Sequence, residues 1–190
     1  MRKPHNRNLK PTLVGLLPAN YRRIIQIFPI MKALSFLFKT DNDVSTLLLR
    51  ITLGVVFFPH GAQKVLGWFG GYGFGGTMGF FTGTLHVPAL FAFLAIAAEF
   101  AGAIALILGL FTRLAALGIA ANMLTAVAVV HWQYGLFMDW AATQKGEGFE
   151  FHLLAIGLAV VLMVRGGGKW AADTAIENSL PATALSHATA

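Results

Sequence analysis

Four long apolar stretches, at residues 44–66, 87–111, 114–132 and 149–164, decide what this chain can fold into. A helix of about 17–25 apolar residues matches a hydrocarbon core of about 30 Å. The first three stretches have that length and the fourth is slightly short. Apolar and polar residues do not alternate as they would in the strands of an outer-membrane barrel. The expected fold is therefore all-α, an integral membrane four-helix bundle. Composition agrees: 56% of the 190 residues are hydrophobic and 12% are charged, against about 25% charged in ordinary soluble domains. So few charges could not cover so much apolar side chain in water, which excludes a cytosolic enzyme and a disordered chain. With no cysteine, disulfides, thiolate catalysis, thiolate zinc sites and cysteine-ligated iron–sulfur clusters are excluded as well.

Charge sets the expected orientation. Eight of the fourteen Lys and Arg residues precede residue 40: Arg2, Lys3, Arg7, Lys10, Arg22, Arg23, Lys32 and Lys39. Nucleic-acid readers spread cations over a folded face, whereas here the cations precede an apolar body, so membrane lipid and not nucleic acid is the expected partner. Arg113, Arg165 and Lys169 fall on the same side as the basic N-terminus, and only Lys64 and Lys145 fall on the other. The positive-inside rule then puts both termini in the cytoplasm of a bacterial-type inner (plasma) membrane. Residues 1–43 read as a basic extension. Its apolar part is broken by Pro18, Arg22, Arg23, Pro29 and Lys32, which does not suit a cleaved signal, and residues 21–39 could lie flat as an interfacial helix. Asp41-Asn42-Asp43 resembles a helix start. Thr112-Arg113 leaves room only for a tight turn, so the second and third spans form a hairpin. Residues 44–165 make the bundle, and residues 166–190 read as a polar tail, loose from Ala171 onward.

Polar residues within spans are costly and are normally paired. Arg50 lies about six residues, roughly 9 Å, inside the first span; Glu99 is near the middle of the second; Asn122 lies roughly 12 Å inside the third. These depths suggest an Arg50–Glu99 ion pair joined by Asn122, either a clasp for the bundle or a polar site for a quinone, a substrate or a proton. At the opposite ends of the spans gather His60, His86, His131 and His152, with Lys64, Asp139 and Glu150. They could exchange protons with a quinone head group, or be ordinary interfacial residues. Imidazole and carboxylate together can ligate metals, but no H-x-x-x-H or H-E-x-x-H spacing occurs and no metal is assigned. Between the first two spans, Gly71, Gly73 and Gly76 satisfy G-x-G-x-x-G without the strand that a dinucleotide site needs. Gly67, Gly71, Gly75, Gly79 and Gly83 recur every fourth residue among Trp, Tyr and Phe. This segment reads as a cap on the bundle or a lid over an apolar ligand.

Leu47-Leu48-Leu49-Arg50, Gly54, Phe57, His60-Gly61, Lys64 and Gly67-Trp68-Phe69-Gly70-Gly71 resemble the opening of DoxX-family membrane proteins. Glu99-Phe100-Ala101-Gly102, Gly109-Leu110 and Thr112-Arg113-Leu114-Ala115-Ala116 resemble that family's second span and turn. The resemblance runs over about residues 44–165 and implies a four-helix inner-membrane protein. It implies a subunit of, or accessory to, a quinone-linked oxidoreductase of the thiosulfate:quinone or oxidative and thiol-stress type. It points to Arg50, His60, Lys64, Glu99 and Arg113. The chain has no visible electron carrier of its own, so a cofactor or partner must supply any electrons. Quinone is the cofactor that the resemblance implies, none is evident from the sequence itself, and a membrane protein partner or a second copy is expected beside it. The alternative is a non-enzymatic membrane scaffold or assembly factor for another complex.

Overall fold

The structure, a computed structural model, describes residues 33–180. One compact unit covers Leu37–Ser179; the described residues 33–36, which are helical, and 180 belong to a second unit. The basic extension and most of the segment expected as an interfacial helix lie outside the described residues.

Six helices build the compact unit: α1 Val44–Leu66, α2 Gly73–Gly79, α3 Ala89–Leu108, α4 Thr112–Ala126, α5 Glu150–Arg165 and α6 Ala172–Ser179. A π turn at Val127–His131 and a 3-10 turn at Trp132–Tyr134 extend α4. No strand occurs among the described residues. Three helical stretches, Val44–Leu66, Ala89–Leu108 and Thr112–Tyr134, are long and apolar enough to cross a membrane. The fourth bundle helix, α5, has 16 residues, about 24 Å.

α1 starts where Asp43, in an extended conformation, accepts the Ser45 N–H at 3.1 Å and the Thr46 hydroxyl at 3.2 Å. This N-cap satisfies donors that the first turn leaves unpaired. The helix ends at Gly67, whose φ of 73° glycine adopts without penalty. Along α1, Arg50, Leu53, Gly54, Phe57 and Gly61 are buried at helical spacing. α3 buries Ala92, Ile96, Glu99, Ala103 and Leu106 in the same way. The two helices run antiparallel and close together. A Cβ on Gly61 would lie 2.5 Å from Phe100 Cα, and one on Gly54 would lie 2.8 Å from Ile107 Cγ1. Small residues that let backbones approach are how helices associate in lipid, where burial from water supplies little. α4 packs on α3 through the hairpin, α5 packs on α4 and α1, and α1 and α4 lie on the diagonal. Leu53, Phe57, Leu106, Ile119, Met123 and Leu162 fill the centre. Leu90, Phe91, Leu114, Leu154 and Val164 point outward, as suits a bundle in a lipid solvent.

The end of the bundle near Arg50 is closed by polar contacts that the sequence did not disclose. Arg50 and Glu99 do not pair. Arg50, 1% exposed, donates from Nη1 to Leu106 O (2.7 Å) and Ile107 O (2.8 Å), and from Nε to Gly167 O (2.8 Å). It thus caps carbonyls that the C-terminus of α3 leaves free, at the negative end of that helix. The glycine-set register explains the correction: Glu99 is level with Gly61, eleven residues and about 16 Å along α1 from Arg50. Arg113 acts likewise, donating to Lys39 O at 2.9 Å and Met163 O at 2.6 Å.

The expected loose tail is also corrected. Residues 166–171 run beneath the start of α1, and α6 follows as a helix. Gly168 has a φ of 71°, and a Cβ there would lie 2.6 Å from Leu47 N. Asp173, 1% exposed, accepts the N–H groups of Phe111 (2.6 Å) and Thr112 (2.9 Å) at the start of α4. Its charge acts on both buried guanidiniums, Arg50 and Arg113. Arg165 closes the same end with Asp41 at 2.8 Å.

Candidate functional site

A cavity of about 1240 Å³ runs along α3 and α4, from Phe111 and Leu114 at the hairpin to His131 and Glu147 at the opposite end of the bundle. α3 and α4 supply its long apolar walls, and Phe57 and Phe151 wall it from α1 and α5. Phe80 and Phe81, in the π turn Phe80–Thr84 after α2, form part of its rim. The glycine-rich segment is thus a 3-10 turn (Trp68–Gly70), a short helix and a π turn folded across the end of α1. Of its aromatic residues only Phe80 and Phe81 line the cavity, and its glycines do not form one packed face: Gly75, Gly79 and Gly83 have open space where a Cβ would be.

One polar side chain from each of three helices meets the others at this cavity. Lys64 of α1 donates from Nζ to Glu99 Oε2 of α3 at 2.5 Å. Asn122 of α4 donates from Nδ2 to Glu99 Oε1 at 2.7 Å. Glu99 is 7% exposed and Lys64 24%, so the ion pair is held largely out of water, where both Coulomb attraction and desolvation are large. The close approach at Gly61 lets Lys64, three residues on, reach Glu99 across the helix contact. Both carboxylate oxygens are engaged, whereas Nζ has three protons and one protein acceptor among the described residues. Lys64 therefore retains donor capacity towards a cavity occupant. The sequence placed Lys64 beside His60 at the outer end of the first span, and α1 carries it there, in its last turn before Leu66.

The histidines divide. His60, His131 and His152 all line the cavity. The rings of His131 and His152 touch, with centroids 4.1 Å apart, and Phe151 lies between His152 and His60 at 5.7 and 6.2 Å. His131 Nδ1 lies 2.8 Å from Glu147 O. His86 is apart from them, exposed in the connection before α3 with a φ of 55°. Glu150 turns to the loop and accepts the Met138 N–H at 3.1 Å. Asp139 organises that loop: the N–H groups of Gln144 and Thr143 hold its carboxyl below the usual range. Arg50 and Arg113 do not line the cavity. Among the described residues no group of three His, Asp or Glu is placed to hold a metal ion.

Sequence reasoning missed Glu147 and Phe151 at the cavity and Asp173 at the far end. A lone acid after Trp170-Ala171-Ala172, in an otherwise apolar turn, was the available signal for Asp173.

Residues 45–132 match the family model described as DoxX. The matched segment contains Arg50, His60, Lys64, Glu99, Asn122 and His131. Over 88 residues the chain is 33% identical to a Bacillus subtilis (strain 168) protein named "Putative oxidoreductase CatD", an overlap of 46% of this chain and 60% of that protein. No solved structure matches.

Proposed function

Starting from a chain that belongs to the DoxX family through residues 45–132, we propose that it binds a quinone in the membrane as a subunit of, or accessory to, an oxidoreductase complex. The observation that carries this is the Lys64–Glu99–Asn122 group facing an apolar cavity within helices fit to cross a membrane. Quinones partition into lipid and present two carbonyl oxygens as acceptors. The site offers an aromatic wall for the ring and Lys64 Nζ as a donor for one oxygen, the mixture of apolar lining and few polar groups that small-ligand sites use. Glu99 holds the ammonium in place, and Asn122 holds Glu99. A quinone in this cavity would supply two-electron redox chemistry, and the electrons would come from a partner's carrier. The relative from Bacillus, named as an oxidoreductase, supports the same class.

The test is retention of 2-methyl-1,4-naphthoquinone by the detergent-purified chain, followed by tryptophan quenching. Saturable binding that weakens at least tenfold in Lys64→Met is expected. No saturable binding to the native chain would overturn the proposal.

The same reading places the end with Arg50, Arg113, Arg165 and Lys169 at the cytoplasmic face and Lys64, His60, His131 and His152 towards the far side. Reporter domains fused after Gly83 and after Lys145 should both read as outside the cytoplasm. A cytoplasmic signal at either would refute this orientation.

A further inference from the structure

We propose that His131 and His152 form a proton-exchange pair between the water at the loop of residues 139–147 and the ligand in the cavity; this rests on the quinone reading above. His152 lines the cavity and is 7% exposed, and its buried Nδ1 has no hydrogen-bond partner among the described residues. Buried polar groups are almost always paired, because an unpaired one carries its full desolvation cost. A ring nitrogen left unpaired beside a cavity is positioned for a partner that the ligand brings.

His131 supplies the outward half. Its Nδ1 faces the Glu147 carbonyl, and a carbonyl only accepts, so Nδ1 carries a proton. Glu147 is exposed, and its carboxylate is fixed on the Asp139 N–H at 2.7 Å. His131 sits at the end of the π turn Val127–His131. Such turns add a residue to a helix, re-aim its side chains and recur at functional sites. Two imidazoles with centroids 4.1 Å apart cannot both become cations without strong repulsion. The pair therefore holds one extra proton at a time, reachable from the loop through His131 and from the cavity through His152. The other ionisable groups around it are His60 across Phe151, Lys64 and Glu99 in the cavity, and Glu147 and Glu150 at the loop.

The chemistry balances as follows. Two electrons enter the quinone ring, both from a partner's reduced flavin or one from each of two reduced haems. For each carbonyl oxygen, one N–H of the protonated pair breaks and one O–H forms. Water at the loop reprotonates His131 between the two transfers, and the hydroquinone leaves. Reversal of the same steps serves hydroquinone oxidation.

Binding of an ionised probe, 2-hydroxy-1,4-naphthoquinone, tests this without a partner. Full-length protein in detergent is titrated from pH 5.5 to 8.5 beside the neutral 2-methyl-1,4-naphthoquinone. Affinity for the ionised probe should fall by roughly tenfold per pH unit above the titration of the pair, the slope for one proton taken up on binding. His152→Gln should flatten that profile to less than twofold, and any loss of affinity for the neutral probe should be the same at every pH. His131→Gln, nearer the surface, should flatten it too and serves if His152→Gln fails to fold. A profile unchanged in a folded variant overturns the pair. Loss of neutral-probe binding in the native chain overturns the quinone reading instead.

Discussion

Two buried cations in one bundle are neutralised in different ways, and the difference predicts how each substitution behaves. Lys64 has a carboxylate partner. Lys64→Met leaves Glu99 in a largely dry site with Asn122 as its sole donor, and removal of one member of a buried pair costs about 3–5 kcal/mol. The double variant Lys64→Met/Glu99→Leu should lose clearly less than the sum of the two single variants in thermal unfolding followed by circular dichroism. Arg50 instead uses the guanidinium fork on backbone carbonyls of Leu106, Ile107 and Gly167. Lys cannot span that set, so Arg50→Lys should lower stability by about 3 kcal/mol, the worth of one or two bonds to a charged donor. Arg50→Ala and Glu99→Ala should add without coupling, because they occupy different levels of the bundle. Which polar residues lie within the spans was legible in the sequence, since Arg50, Glu99 and Asn122 interrupt apolar stretches. Who pairs with whom was not: partner choice follows helix register, and register follows from where Gly54 and Gly61 let α1 meet α3.

At the scale of the element, glycine means different things in helices of similar composition. Gly61→Ala would drive a methyl into the backbone of Phe100, so α1 and α3 must part; a cost of about 1–3 kcal/mol is expected. Gly75→Ala in α2 meets nothing within 4 Å and replaces a poor helix former, so it should be neutral or stabilise by up to about 1 kcal/mol. The fourfold glycine spacing in the connecting segment drew attention to the wrong glycines, because spacing reports which residues share a face and not whether a neighbour covers that face. The start of α1 was legible from the acidic run, and it carries a pH signature. The Ser45 N–H, helped by Thr46, holds the Asp43 carboxyl below its ordinary 3.8. A lowered folded value gives stability that is complete above the ordinary value and is lost as pH falls through the folded one. The unfolding midpoint should therefore drop on acidification below about pH 4, and drop less in Asp43→Asn, which keeps an acceptor for the cap without the titration.

The whole molecule is polar at both ends of its cavity axis for different reasons. At one end, polar side chains face a cavity and retain hydrogen-bonding capacity. At the other, Arg50, Arg113 and Asp173 are bonded to backbone and do not line the cavity. That division was hidden in the sequence because backbone carbonyls, which carry no residue signature, are the acceptors. It was hidden also because residues 166–179 have the polar composition of a tail. Their structure makes them the closing piece of the bundle. Asp173→Ala removes two bonds to a charged acceptor, each worth about 1.5–3 kcal/mol, and leaves the N–H groups of Phe111 and Thr112 buried without it. Phe111 holds a left-handed φ of 48° at that turn, a strained conformation that persists only while its surroundings fix it. Loss of Asp173 should therefore loosen the α3–α4 hairpin itself. A chain ending at Arg165 goes further, since Arg50 also loses the Gly167 carbonyl. It should unfold at a far lower temperature than the full chain, and hydrogen exchange should rise first at residues 109–113. If removal of residues 166–190 left both the midpoint and that exchange unchanged, the segment would be a tail after all.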